Sequence, residues 1–573
     1  MQPLNKKEEI FTKKMKKEKF NILSMITSVS IILIFQLIDM LSCGPAIFFS
    51  SSSDELKKRF SEDEIDVLKK LGCLTYVYSC IISTIIFALL SKMEATVVSG
   101  IIVESLKPMV DSFSANILKE TKTLNEFVTN YIFHLFLTTV GFSILSLVLY
   151  SINKAHYLSL IPKSIINGAL GAIGIGQLQI ALDCIGFEGF QSLKDSSLRN
   201  LFIICIVAVS LYFILEIWFS HIDYLIPAYF IGLVAISYFL SVLVYGKNDL
   251  MKNLRENKLI DSPETLLYPN YLFNRLEFSS ISLKIVAKNT VKIFTMIFIS
   301  SIHIAVNLPA FKMATGTDFD FSTELRTQGL SNLITFVPCY FIVSYSIAVF
   351  KSGGKKRSYS LIAGFLMIVI ALYGVMIKGY IPRFALALVP GIMFVGFILS
   401  SFYETISYIS AYEYFLSLLV TVIIKGGGSI IKTDWYTDYC FVIGVSIGFV
   451  LYLIMFGIFS AISKKKTEKI EYSSNDTDLL VVDYILWFLT ATQFEKNLET
   501  KNKPKIILDF QKCSAIDWIG QDKLINTAEK YEEVVLIGAP FNLRHNRFSK
   551  VASFSYFADY KAYLESKGLN ENL

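Results

Sequence analysis

Long apolar runs alternate with short polar breaks between about residues 20 and 464. The runs Ile22 to Leu41, Tyr131 to Ile152 and Phe202 to Phe219 are typical. Each is long enough to cross a hydrocarbon core of about 30 Å, which takes roughly 20 helical residues. Counted in this way, the pattern predicts about fourteen transmembrane helices, some of them broken or short. We therefore expect a mainly α, polytopic membrane protein.

A polar connection over residues 246–288 divides these predicted helices into two sets of seven. The first set covers residues 21–245 and the second residues 289–464. Ile161-Pro162-Lys163 opens the fifth helix of the first set, and Ile381-Pro382-Arg383 opens the fifth helix of the second. Such an echo is expected of transporters built from inverted repeats, although a tripeptide can also recur by chance.

The composition changes to that of a soluble α/β domain over residues 470–573. Lys505 to Phe510 and Val534 to Gly538 are apolar runs of strand length, and residues 479–484 and 485–489 are predicted to be paired strands. The segment has no Gly-rich phosphate-binding loop, so we expect a regulatory or assembly module there.

Composition excludes an ordinary soluble protein, because 53% hydrophobic residues and a mean hydropathy of +0.52 leave too little polar surface. The lipid bilayer is the expected surrounding. Lysines crowd the basic segment of residues 1–20 and recur at residues 464–469, after the last apolar run. By the positive-inside tendency, both termini are expected in the cytoplasm. The net charge of +6 then reflects topology, and no nucleic-acid partner is expected.

Several segments, in order, resemble the SulP anion transporters, which carry a membrane domain followed by a STAS domain. In the membrane region these are IPKSIINGALGAIGIGQL, ELRTQGLSNLITFVPCYFIVSYSIAVFKSGGKKRS and IPRFALALVPGIMFVG; in the tail they are LLVVDYILWFLTATQFEKNL, KIILDFQKCSAIDWIGQDKL and VVLIGAP. The intramembrane acids, IHIAVNLPAF and VPCYFIVSYSIAVF look closest to the divergent fungal, vacuolar-type branch. Where many STAS domains have Ser or Thr, this tail has Asp517-Trp518-Ile519-Gly520, so a phospho-switch is not expected there.

The resemblance implies a UraA/SulP-like inverted repeat of seven plus seven helices, followed by a small α/β STAS-like domain. It also implies a homodimer in a vacuolar or plasma membrane. In this family the third and tenth helices are broken, and their N-termini face each other across a solute site. Helix N-termini suit an anion, because they offer unpaired N–H groups and partial positive charge.

Mapped by motif, the solute site should include a proline, small residues and hydroxyl donors of the two broken helices. Those of the tenth helix are Pro338, Tyr340, Ser344, Tyr345 and Ser346, and those of the third are Ser99 and Gly100. Packing between helices is the alternative role for these Ser and Tyr residues.

Ionisable residues inside the apolar runs are further candidates, since such groups are costly in a membrane. His303 falls where many family members have a membrane-embedded glutamate, and Asn307 lies one helical turn away. A histidine can exchange a proton near neutral pH, so proton coupling is one role; a neutral, structural histidine is the other. Asp39 and Glu104 add acids in the first and third helices.

The predicted function is secondary transport of a small anion, such as a sulfate-like ion, oxalate, bicarbonate or chloride, by an elevator-like mechanism. One alternative is transport of amino acids or other cationic solutes in an organelle membrane, which the acids favour. Another is a non-transporting scaffold or sensor acting through the STAS-like domain. No cofactor, metal site or catalytic residue is expected, because no nucleophile and base pair or metal-ligand set has usable spacing.

Overall fold

The computed structural model describes residues 22–49, 54–94, 96–100, 107–152, 162–187, 189–219, 222, 225–262, 268, 270–315, 317, 319–407, 409–426, 434–463, 477–487, 490–501, 503–513, 515–517, 519–521, 523–524, 531–538, 554–557, 562 and 566. Glu104 and the lysines of residues 1–20 and 464–469 lie outside these ranges.

The first half of the chain is helical apart from one short strand. Its elements are α1 (Ile22–Cys43), α2 (Asp54–Arg59), α3 (Glu62–Leu90), β1 (Val98–Gly100), α4 (Lys107–Glu120), α5 (Leu124–Ser151), α6 (Lys163–Ile185), α7 (Ser196–Phe219) and α8 (Leu225–Tyr245). The polar connection that follows contains the short helix α9 (Leu250–Glu256).

The second half has a similar order, with two helices instead of three before its strand. Its elements are α10 (Leu283–Thr315), α11 (Phe321–Asn332), β2 (Cys339–Phe341), α12 (Val343–Lys351), α13 (Arg357–Lys378), α14 (Arg383–Leu386), α15 (Leu388–Ile398), α16 (Ala411–Lys425) and α17 (Asp434–Ser463). In the second half β2 is followed at once by α12, which is the predicted break in the tenth helix; in the first half, residues 101–106 between β1 and α4 lie outside the described ranges.

The fold class predicted from the sequence is confirmed. In the described part of the chain, nine helices are long and apolar enough to cross a membrane. The two Ile-Pro-Lys/Arg motifs start helices in the same way: Pro162 and Pro382 are N-cap residues with φ, ψ of −56°, 133° and −58°, 136°. A proline suits a helix start, because the first turn leaves its N–H groups unpaired anyway.

The helices pack into two bundles. One contains α1, α3, α5 and α10 to α13, and the other contains α6, α7 and α14 to α17. Glycines allow close approach within the second bundle: a Cβ on Gly168 would lie 2.7 Å from the Ser417 carbonyl oxygen. Thr421 of α16 donates a 2.7 Å hydrogen bond to the Gly168 carbonyl at the same place. The glycines of α6 therefore serve helix packing.

The C-terminal part is a small α/β unit. Strands β3 (Thr477–Val481), β4 (Lys505–Asp509), β5 (Glu533–Ile537) and β6 (Phe554–Phe557) form a parallel sheet in chain order, with helix α18 (Ala491–Glu499) between β3 and β4. The predicted pairing of residues 479–484 with 485–489 is wrong, since β3 pairs with β4 and Leu486 makes only an isolated bridge to Ile516. Parallel neighbours need a crossover, and α18 supplies it.

The α/β unit contacts the membrane bundle through α17. Asp517 accepts a 2.5 Å hydrogen bond from the Tyr452 hydroxyl. The Trp487 ring stacks on Phe456, with centroids 5.3 Å apart and an interplanar angle of 18°. Aromatic packing of this kind adds to the area it buries, so α17 is an anchor for the tail.

Candidate functional site

The two short strands, β1 from the first half and β2 from the second, pair with each other next to the broken helices. Strand β1 pairs antiparallel with β2, and Ser99 lies opposite Tyr340. Both strands are fully buried. Irregular backbone inside a membrane bundle is tolerated only where its polar groups are paired, so the strands need partners on their outer edges.

The side-chain amides of α11 pair the outer edge of β2. Asn332 donates to the Cys339 carbonyl at 2.8 Å and accepts from the Cys339 N–H at 2.6 Å. Gln328, one turn earlier, also donates to that carbonyl at 2.8 Å and accepts from the Phe341 N–H at 3.0 Å. The two amides substitute for a further strand and hold the break in place.

The Asp39 carboxylate lies beside this strand pair and is 5% exposed. It accepts hydrogen bonds from Tyr345 at 3.0 Å, Ser99 at 3.1 Å and, more weakly, Tyr76 at 3.5 Å. Among the described residues these hydroxyls are its only partners, and no Lys, Arg or His is within ion-pair distance. An intramembrane carboxylate without a counter-charge is by default a functional group.

The first turn of α12 faces the same place. Tyr345 is the third residue of α12, and its ring stacks on Phe35 of α1 with centroids 4.0 Å apart. The N–H groups of a first helical turn have no partner within the helix and carry partial positive charge. The site therefore combines a helix N-terminus, hydroxyl donors and one carboxylate.

Other predicted residues surround this centre without joining it. Tyr340 is buried against the His303 ring, with centroids 4.7 Å apart. Ser346 accepts a 2.9 Å hydrogen bond from the Val97 N–H and so ties α12 to β1. Pro338 is buried at the entry to β2, and Asn307 is buried on α10. None of these four side chains is hydrogen-bonded to Asp39.

Three predicted residues have a different outcome. Ser344, in the first turn of α12, is exposed. Gly100 passes under the Tyr76 ring, where a Cβ would lie 2.7 Å from a ring carbon. Glu104 lies outside the described residues.

Two contributors were missed by sequence reasoning. Tyr76 comes from the middle of α3 and also bonds Ser99. Gln36 of α1 donates a 2.7 Å hydrogen bond to the Val98 carbonyl, on the edge of β1. Gln36 lies three residues before Asp39, so the helical i, i+3 spacing was a usable signal. The sequence held no such signal for Tyr76, because tyrosine is common in apolar spans.

Comparison with known proteins shows the fold. No family model matches the chain, and neither does any curated protein sequence. A solved structure of the murine Solute Carrier 26 family member A9 anion transporter, in its inward-facing state, is 12% identical, with a TM-score of 0.51 over 97% of this chain and 93% of that chain. A structure of SLC26A9 is 13% identical, with a TM-score of 0.52 over 98% and 89% of the two chains. The chain thus has the fold of these transporters.

Proposed function

We propose that this protein is a secondary transporter of a small anion, and that Asp39 carries a proton when the anion binds. The observation that carries the proposal is the Asp39 carboxylate, which lies beside the N-terminus of a broken helix and has three hydroxyl donors but, among the described residues, no cationic partner. The shared fold with an anion transporter supports the solute class.

Electrostatics explain why the proton is needed. Two unit charges of like sign 4 Å apart repel by about 4 kcal/mol at an effective dielectric constant of 20. A helix N-terminus stabilises a nearby anion by at most about 2 kcal/mol. An ionised Asp39 would therefore weaken binding of an anion by more than tenfold. A protonated Asp39 removes the repulsion and becomes a hydrogen-bond donor to the anion.

The proposed cycle uses the two bundles as moving units. The bundle with α1, α3 and α12 carries the site, and the bundle with α6 and α16 is the gate against which it slides. Anion and proton bind together on one side, cross together and leave on the other. His303 packs against Tyr340, which lies opposite Ser99 in the strand pair, whereas Asp39 is hydrogen-bonded to Ser99 directly, so we assign the proton to Asp39.

A cationic solute is the second candidate, and the same carboxylate favours it. In that case an ionised Asp39 would bind the cation directly, aided by the Tyr76 and Tyr345 hydroxyls. The α12 N-terminus would then oppose the charge of the solute. The two candidates predict opposite effects of neutralising Asp39.

Uptake into proteoliposomes separates them. Radiolabelled sulfate, oxalate, bicarbonate, chloride, lysine and arginine would be tested with and without a pH gradient. We expect saturable uptake of an anion that accumulates only with an inward proton gradient. In Asp39→Asn, anion uptake should continue but no longer respond to the gradient.

Loss of cation uptake in Asp39→Asn would instead establish the cationic candidate. Asp249→Asn, which makes the same charge change at an exposed position, is the matched control and should behave as the parent. Absence of saturable flux for every solute of the panel would contradict both candidates.

A further inference from the structure

A second polar cavity lies between the two bundles, on the face where α1 ends. Its volume is about 310 Å³, which is in the range of small-molecule sites. It is lined by the end of α1, the beginning of α3, the ends of α6 and α13, α14 and the polar connection. The charged residues in its wall are Asp66, Lys69, Asp183, Asp261, Lys378 and Arg383.

Asp261 already occupies the cationic side of this cavity. Its carboxylate accepts from Arg383 Nε at 2.7 Å and Nη2 at 2.6 Å, and its other oxygen lies 3.3 Å from Lys378 Nζ. Burial by itself would raise the pKa of Asp261, but the positive charges of Lys378 and Arg383 hold that pKa below its usual value. An oxyanion is thus already bound here, supplied by the chain itself.

Lys69 is a third cation in the wall, and it forms no direct ion pair with Asp261. Its ammonium lies 4.9 Å from the centroid of the Phe49 ring and forms no ion pair within the described part of the chain. The neighbouring Asp66 is paired with Lys70 at 2.6 Å instead. Lys69 therefore lies in the same wall as the Lys378 and Arg383 pair without an ion-pair partner among the described residues, and Asp183 is a further acid of that wall.

The cavity also lies next to the Asp39 site. Leu41 and Ser42 in its wall follow Asp39 by two and three residues on α1, and three residues of helix rise about 4.5 Å. Because the wall belongs to both bundles, the cavity must change when they slide.

We propose that this cavity binds a small oxyanion between Lys69 and the Lys378 and Arg383 pair, with Asp261 as a built-in competitor. Arg and Lys suit an oxyanion because the planar guanidinium and the ammonium together donate several charge-assisted hydrogen bonds. This site rests on the proposed anion transport and deepens it, since its wall includes Leu41 and Ser42, which lie within one helical turn of Asp39 on α1.

Sulfate binding to the full-length protein in nanodiscs tests the site. Binding would be measured by isothermal titration at constant ionic strength, with gluconate as the replacing anion. We expect Lys69→Gln to weaken sulfate binding at least tenfold. Asp261→Asn should tighten it about tenfold, because the competing carboxylate is gone. Lys252→Gln removes an exposed lysine outside the cavity and should leave binding unchanged.

Equal sulfate affinities for the parent, Lys69→Gln and Lys252→Gln would overturn the proposal, and so would unchanged binding in Asp261→Asn. If sulfate binding depends on Lys69 but proteoliposomes show no anion flux, the cavity site stands and the transport proposal fails. If flux is proton-coupled but Lys69→Gln binds sulfate as tightly as the parent does, the transport proposal stands and the cavity site fails.

Discussion

The Tyr345 hydroxyl donates a 3.0 Å hydrogen bond to the Asp39 carboxylate, although 306 residues separate them. The bond joins α1 of the first half to the broken helix α12 of the second. It places a charged group of one repeat at the helix N-terminus of the other, which is where the two halves of the site meet.

Tyr345→Phe should lower the free energy of unfolding by about 2 kcal/mol, because a hydrogen bond to a charged group is lost while the stack on Phe35 remains. Asp39→Asn combined with Tyr345→Phe should cost less than the sum of the two single changes. A double-mutant cycle on thermal unfolding in detergent measures this coupling. Strict additivity would mean that the bond contributes nothing to stability.

Gln328→Leu should destabilise the protein by about 2 to 4 kcal/mol, since the Phe341 N–H and the Cys339 carbonyl would each lose a partner inside the membrane. Gln177→Leu is the matched control. The amide of Gln177 is buried and has no hydrogen-bond partner in the described part of the chain, so its replacement should be neutral or stabilising. Similar melting temperatures for the two variants would contradict the role given to Gln328.

Gly72→Ala should disrupt the contact between α3 and the end of α1. A Cβ on Gly72 would lie 2.2 Å from the Gly44 carbonyl oxygen, which is backbone and has little freedom to move. We expect a loss of several kcal/mol, seen as reduced monodisperse yield and a lower melting temperature. Gly457→Ala, on α17 with open space around it, should raise helix stability by up to about 1 kcal/mol.

Trp487→Ala should loosen the tail from α17. It removes the ring that stacks on Phe456, while the hydrogen bond from Tyr452 to Asp517 is too little to hold the contact alone. Hydrogen exchange of the amides in α18 should become at least tenfold faster. Glu532→Gln, at an exposed position of the tail outside α18, should leave these rates near those of the parent.

Asp261→Asn should lower stability by about 1 to 2 kcal/mol at pH 7, where the carboxylate is paired with Lys378 and Arg383. The pKa of Asp261 is depressed in the folded protein, so its contribution is present above the unfolded pKa and is lost as the pH falls through the folded pKa. The melting temperatures of parent and variant should converge between pH 7 and about pH 3. A difference that stays constant over this range would rule out an ionic origin.

Much of the architecture was predictable from the sequence, because membrane helices are coded locally. An apolar run of about 20 residues either spans the membrane or is buried in the protein, and a Pro just before such a run marks the start of the helix. This is why the helices, the two Ile-Pro motifs and the break near Pro338 were found where they occur. The tail was less accessible, since parallel strands pair across a crossover and residues 485–489 therefore had no local signal of their partner.

The sequence by itself determined that the chain is a helical membrane protein with two similar halves, and it identified Asp39, Ser99 and Tyr345 as candidates. Only the tertiary structure decided that these three residues meet, that Tyr76 joins them and that Asp261 lies between Lys378 and Arg383. The reason is physical. The hydropathy pattern determines each helix from its own local sequence. A site, in contrast, is made by hydrogen bonds and ion pairs between residues tens to hundreds of positions apart.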